Sequence, residues 1–163
     1  MSIHEKYGLT KVINAAGSFT PLGVSRSSPG VGQTAAEALA EFFLIDELQE
    51  VASAAIQRWT GAEAGGVTHC VAAGITLAVS AAMAGGEPDA EAALPNSGAS
   101  ANRVVLPTGH AVDYGHSILQ DIRLPGANPV LAGSEKHCSI EGLERELSQQ
   151  GTACLLLVSS RLV

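Results

Sequence analysis

Two short segments of this 163-residue chain carry residue types suited to chemistry. The first is Thr68-His69-Cys70-Val71-Ala72-Ala73-Gly74, which reads as the junction between a strand and a helix. Small side chains at such a junction let the backbone come close to a ligand. The free N–H groups and the dipole at a helix start favour an anion, typically a phosphate. In an open α/β sheet, ligands also gather outside the carboxyl ends of the strands. A tight Ala-rich packing junction accounts for the same residues equally well. The second segment holds His110, Asp113, Tyr114 and His116, just past an apolar run at 103–106. An imidazole there could stack on a planar ligand or move a proton. Polar residues capping the next helix are the plainer explanation.

Other candidates are weaker. Gly30-Val31-Gly32-Gln33-Thr34-Ala35 matches the GxGxxG/A dinucleotide pattern. The preceding Arg26-Ser27-Ser28-Pro29 is not a strand, so the strand–turn–helix context is missing and a loop before a helix is favoured. His69-Cys70 and His137-Cys138 contain metal-ligating types, but adjacent ligands chelate one ion poorly, so zinc is disfavoured. Cys154 sits in an apolar run and reads as inert core. Arg26, in a Gly/Ser/Pro segment, could pair with an anionic substrate.

The elements that must position these residues follow from periodicity. The first thirty residues read as irregular. A helix is expected from Val31 to about Leu44. A second opens at Asp46, with Gln49 completing a capping-box pattern. It carries Leu48, Val51, Ala52, Ala55, Ile56 and Trp59 on one stripe and stops at Gly61. Then strand and helix signals alternate. Strands are expected at 66–69, 103–106, 129–131 and 153–159. Helices are expected over 71–84 (apolar nearly all round and therefore buried), 116–123 and from Ser139 to Gly151. Residues 85–102 read as a surface loop. The order β-α-β-α-β-α-β predicts a parallel sheet covered by helices, with right-handed crossovers. The expected organisation is an N-terminal arm with helices over 1–60, then a partial α/β domain over 61–163.

Composition excludes several classes. Apolar residues make up 46% and charged residues 15%, too apolar for disorder. Ala occurs 26 times and aromatics reach only 4%, which favours close packing on small side chains. Nine Lys and Arg against sixteen Asp and Glu give a net charge of −7, with no basic run, so nucleic acid is disfavoured as a partner. No apolar stretch approaches the roughly 20 residues that span a bilayer, and residues 1–11 lack the apolar centre of a signal peptide. Three cysteines without a CxxC spacing suit a reduced, cytoplasmic setting better than a disulfide scaffold.

Taken in order, several short motifs form a familiar series. They are Lys11-Val12-Ile13-Asn14-Ala15-Ala16-Gly17, Leu22-Gly23, Asp46-Glu47-Leu48-Gln49-Glu50, Trp59-Thr60-Gly61-Ala62-Glu63, Val67-Thr68 before an Ala-rich helix, and Gly109-His110. The series resembles the fold-type-I pyridoxal-phosphate enzymes related to bacterial selenocysteine synthase, L-seryl-tRNA(Sec) selenium transferase. The nearer likeness is to the D-glucosaminate-6-phosphate ammonia-lyase branch. The resemblance covers essentially the whole chain.

It implies an enzyme that uses pyridoxal 5'-phosphate on a small amino-acid or amino-sugar-acid substrate, as a lyase or a transferase, in a homodimer or larger homo-oligomer. It also implies roles. Cys70, Val71 and Ala72 would offer main-chain N–H groups to the cofactor phosphate, with His69 and Cys70 standing where the family has smaller residues. His110 would lie near the cofactor ring. Thr20 and Arg26 would approach the substrate, and no residue of this chain is expected to be catalytic. The family's Schiff-base lysine has no counterpart here, since Lys6, Lys11 and Lys136 are the three lysines and none stands at that position. The chain therefore reads as the N-terminal part of a longer enzyme, inactive alone. The alternative is a non-catalytic module that binds a phosphorylated ligand or a protein partner.

Overall fold

A computed structural model of the chain describes residues 1–96, 98 and 101–159. It divides into two compact units, Met1–Gly65 and Gly66–Val163.

In the first unit, α1 (Ile3–Tyr7) opens with a capping box. Ser2 Oγ accepts from the Glu5 N–H at 3.2 Å, and the Glu5 carboxylate accepts from the Ser2 N–H at 2.7 Å. The irregular start expected for the first thirty residues is thus interrupted by a short helix whose Ser-x-x-Glu signal is in the sequence. A 3-10 turn, Thr20–Leu22, follows. Helix α2 (Pro29–Ala38) starts on Ser28 and Pro29, two residues before Val31. It ends well short of Leu44. Ala40 and Glu41 donate to the carbonyls three residues back, which tightens the turn and breaks the helical ladder. Helix α3 (Ile45–Thr60) has Leu44 as its N-cap with no side-chain cap, so the Asp46–Gln49 capping box does not form. Asp46 and Glu47 instead sit in the first turn, where carboxylates complement the dipole. Gly61 closes the helix in the left-handed conformation.

The second unit holds a three-stranded parallel sheet among the described residues. Its strands are β1 (Arg103–Pro107), β2 (Asn128–Ala132) and β3 (Thr152–Leu155), in the order β2-β1-β3. Helix α4 (Val71–Ala84) precedes β1, α6 (Ile118–Arg123) joins β1 to β2, and α7 (Ile140–Leu147) joins β2 to β3. The two crossovers run in opposite directions across the sheet, so right-handedness places α6 and α7 on opposite faces. Val104 and Leu106 point into the core that Val79, Met83, Ile118, Ile122 and Ala127 complete. Alternation turns Val105 to the other face, where it is also fully buried. An Arg103–Glu146 pair at 3.2 Å ties β1 to α7.

Four expectations change. Residues 66–69 are not a strand: they have no neighbour to pair with, and Thr68 Oγ1 turns back to donate to the Cys70 carbonyl at 2.9 Å. The stretch 85–102 is not all loop, because Pro88 starts the short helix α5 (Pro88–Ala93) on Ala and Glu residues that favour helix. Helix α4 has the expected bounds but is not buried all round. Val79, Met83 and Ala84 are buried, while Val71 is 75% exposed. The last run pairs only over Thr152–Leu155. Gly126 marks the tightest close approach in the unit. It adopts φ +91°, and an added Cβ would run into the Pro95 carbonyl.

Candidate functional site

The carboxyl end of β1 runs into a 3-10 turn, Thr108–His110, that is held from several sides. Thr108 Oγ1 lies 3.1 Å from both the Ala132 and the Gly133 carbonyls, joining the ends of β1 and β2. Gly109 lies so close to the next loop that a Cβ would come within 2.5 Å of the Glu135 carbonyl oxygen. The His110 side chain is buried, and its Nδ1 accepts from the Val158 N–H at 3.0 Å. The ring proton of the neutral imidazole is therefore on Nε2.

Beside this turn lies an open groove of about 610 Å³. Its walls come from Val71 and Ile75 of α4, from Val112, Asp113 and Tyr114 after β1, from Ile118 of α6, and from residues 156–159 after β3. The groove thus lies past the ends of β1 and β3 and begins at the N-terminus of α4. Cys70 is the N-cap there, and its Sγ accepts from the Ala73 N–H at 3.5 Å. The Gly74 N–H is taken by the Cys70 carbonyl at 3.1 Å. The N–H groups of Val71 and Ala72 are left without intrahelical partners, as in any first turn. That donor set suits a phosphate or carboxylate.

A second polar group lies at the groove wall. Asp121 of α6 is fully buried. Its Oδ2 accepts from the Tyr114 hydroxyl at 3.0 Å, and its Oδ1 meets His116 Nε2. Its main-chain carbonyl accepts from Thr76 Oγ1 of α4 at 3.1 Å. Asp113 Oδ1 accepts from the Gly115 N–H at 2.8 Å and shapes the same turn. Desolvation, then the hydrogen bond to Asp121, then the nearby negative groups hold the Tyr114 phenol above its usual range. Burial does the same for the Cys154 thiol.

The structure brings some expected site residues together and leaves others apart. Cys70, Val71 and Ala72 share the α4 start, and Val71 lines the groove. His110 is only 8% exposed and sits behind the groove, tied to its Val158 segment. Thr20 and Arg26 belong to the Met1–Gly65 unit, Thr20 opening the 3-10 turn and Arg26 exposed in the extended stretch before α2. Gly30 and Gly32 lie inside α2 rather than in a phosphate loop. No lysine lines the groove, and Lys136 lies on the turn after β2. Among the described residues no group of three His, Cys, Asp or Glu comes together as a metal site. Sequence reasoning passed over Asp121. The signal was there: Asp121 falls three residues after Ile118 and one before Ile122, on the apolar side of a short helix, where a carboxylate must find partners.

No family model matches the chain. Curated relatives do. D-glucosaminate-6-phosphate ammonia lyase of Salmonella typhimurium is 42% identical over 159 residues, 98% of this chain and 43% of the relative. The 5'-C-glycyluridine monooxygenase-decarboxylase of a Streptomyces species is 30% identical over 97% of this chain and 40% of the relative. A solved structure of D-glucosaminate-6-phosphate ammonia-lyase superposes with a TM-score of 0.91 at 41% identity, covering 99% of this chain and 43% of that one. The chain therefore spans less than half the length of these relatives, and over that span it has the mixed α/β fold of the ammonia-lyase structure. Among the described residues no helix is long and apolar enough to cross a membrane.

Proposed function

On the premise that this chain is a relative of D-glucosaminate-6-phosphate ammonia lyase, we propose that it is the N-terminal, cofactor-cradling part of a pyridoxal-phosphate lyase or transferase. The single observation that carries this reading is the α4 start, with its two free N–H groups, opening directly into the groove beyond β1 and β3. The donors fit a phosphate, with Val71 and Ala72 binding it and Cys70 shaping the turn. When bound, pyridoxal phosphate would supply an electron sink for a carbanion beside the amino-bearing carbon. The remaining work is the protein's. His110, held behind the groove by the Val158 N–H, is the proposed neighbour of the cofactor ring. Val71, Ile75, Val112 and Ile118 offer an apolar wall that keeps water from the ligand's planar part. Residues 61–163 form the cofactor part and residues 1–60 the arm that carries Thr20 and Arg26, the proposed substrate contacts. The substrate class is an amino acid or amino-sugar acid. A homodimer or larger assembly in the cytoplasm belongs to the same proposal.

Covalent attachment of this cofactor needs a lysine, and none lines the groove. We therefore assign that lysine to sequence outside this chain and no turnover to the chain alone. The same observation favours a second reading, a non-catalytic module that binds a phosphorylated ligand. A chimera separates the two. In it, this chain replaces the matching segment of the Salmonella enzyme, and ammonia release from D-glucosaminate 6-phosphate is measured. Release by the chimera, with none from the 163-residue chain supplied with pyridoxal phosphate, is expected. A folded chimera that binds phosphate ligands and releases no ammonia favours the module. Ammonia release and borohydride fixation of the cofactor by the 163-residue chain itself would refute the assignment of the lysine.

A further inference from the structure

The groove wall formed by the turn after β1 is pinned at its base by an isolated bridge between Asp113 and Ser117, and among the described residues it carries the one aromatic ring that lines the groove, Tyr114. That ring is 56% exposed, so packing alone does not fix it. Three links converge on one residue instead. Asp121 takes the Tyr114 hydroxyl on Oδ2 and the His116 imidazole on Oδ1, while its carbonyl takes Thr76 of α4. A fully buried carboxylate is costly unless both oxygens are engaged, and here the two partners that engage it come from the same turn. The Tyr114 and His116 rings stand 6.2 Å apart across it.

We propose that Asp121 is a positioning residue: it clasps Tyr114 and His116 so that the turn presents the Tyr114 ring as a fixed wall of the groove that begins at the start of α4. The ligand class is a planar ring bearing a phosphate, and this part of the inference rests on the cofactor reading above. The clasp does not depend on that reading. The hydroxyl of Tyr114 spends its proton on Asp121, which leaves the ring face, not the hydroxyl, for the ligand.

The clasp is tested on the 163-residue chain carrying Tyr7→Phe, in which Tyr114 is the only tyrosine. Phenolate absorbance then reports this residue alone. The charged and titratable groups facing it are Asp121, Cys70, Asp113 and His116. With Asp121 intact the phenolate forms above the usual tyrosine range. In Asp121→Asn, which keeps the shape and removes the charge, the midpoint falls toward that range, stopping short because desolvation remains. An unchanged midpoint in folded Asp121→Asn overturns the clasp. Pyridoxine 5'-phosphate, which has the ring and phosphate but no aldehyde, tests the wall. Asp121→Ala, which removes both acceptor oxygens, and Tyr114→Phe should each weaken its binding about fivefold, and the double variant no further than either, because both cut one link. Tyr114→Phe removes only a hydroxyl at an exposed ring, so it serves if the Asp121 variants do not fold. Additive losses, or binding untouched by Tyr114→Phe, overturn the positioning role. If the parent chain does not bind this probe at all, the cofactor reading and the wall's ligand fail together, and the phenolate midpoint still decides the clasp.

Discussion

The two units of this chain use apolar residues in opposite ways. In Gly66–Val163, Val104, Val105, Leu106 and Ile122 are completely removed from water. In Met1–Gly65 no residue is buried, although the α3 stripe is as regular as any in the sequence. Trp59, its largest member, is 83% exposed. Periodicity therefore reports which face a helix would bury, and says nothing of what covers it. A core needs a second layer, and among the described residues the sheet of the second unit supplies one for its own helices.

Truncating the core should expose that contrast most strongly. Leu106→Ala removes a fully buried side chain from the central strand and should cost about 3 kcal/mol. Trp59→Ala, in spite of its size, should change stability by no more than about 0.5 kcal/mol. Urea titrations followed by circular dichroism measure both. Equal losses would show that the α3 stripe is covered in solution, and the contrast would fall. Next in size is Gly126→Ala. Its left-handed backbone and the Pro95 carbonyl leave no room for a Cβ, so a loss of about 2 kcal/mol is expected in the same titration.

Helix caps sharpen the comparison at a smaller scale. Ser139 Oγ accepts from the Gly142 N–H at 3.0 Å and starts α7 against the sheet. Ser28 Oγ makes the equivalent bond at 3.5 Å and starts α2 in the uncovered unit. Ser139→Ala should cost about 1 kcal/mol in the global unfolding transition. Ser28→Ala should lower helical content slightly and leave that transition in place. Matching shifts from both would mean that the two units unfold as one.

The same contrast governs what could be read from the sequence. Helices α4 and α7 and strands β1 and β2 are legible to within a few residues because their patterns and their partners both lie inside the chain, and α3 is legible from its stripe and its Gly61 stop alone. The strand expected at 66–69 fails on its pairing: Val67 and Thr68 are β-formers, but no segment among the described residues pairs with them. Helix α5 was hidden by the Gly, Pro, Asn and Ser around it, since composition averaged over 85–102 masks six helical residues. At the site, the α4 start is legible because small residues ahead of an apolar helix have a local physical meaning, although the strand expected before it is absent among the described residues. His110 was singled out by its place after β1, while its bond to Val158 spans 48 positions and no local pattern encodes it. Asp121 was legible in principle from its place between Ile118 and Ile122. Its partners, Tyr114 and His116, read locally as isolated loop residues rather than as two ends of one clasp.

The smallest expected effect is a matter of pH, and it belongs to the covered unit. Burial raises the Cys154 thiol above its ordinary 9.0. Desolvation and Asp121 raise Tyr114 above its ordinary 10.0. In each case the unfolded chain loses its proton first as pH rises. Between the ordinary and the raised value the folded state binds more protons than the unfolded one, so stability falls with pH. The contribution is complete below the ordinary value and gone above the raised one. Unfolding midpoints should therefore begin to drop in the alkaline range near the cysteine value and drop again beyond the tyrosine value. Cys154→Val should flatten the first decline and leave the neutral-pH midpoint nearly unchanged, while Tyr114→Phe should flatten the second and also lower the neutral-pH stability by about 1 kcal/mol, because the buried Asp121 Oδ2 loses its partner. The Tyr114 decline should be shallow, because water reaches more than half of that ring and screens its neighbours. A single decline that neither substitution alters would place the alkaline loss elsewhere in the chain, and would separate it from both the core and the groove.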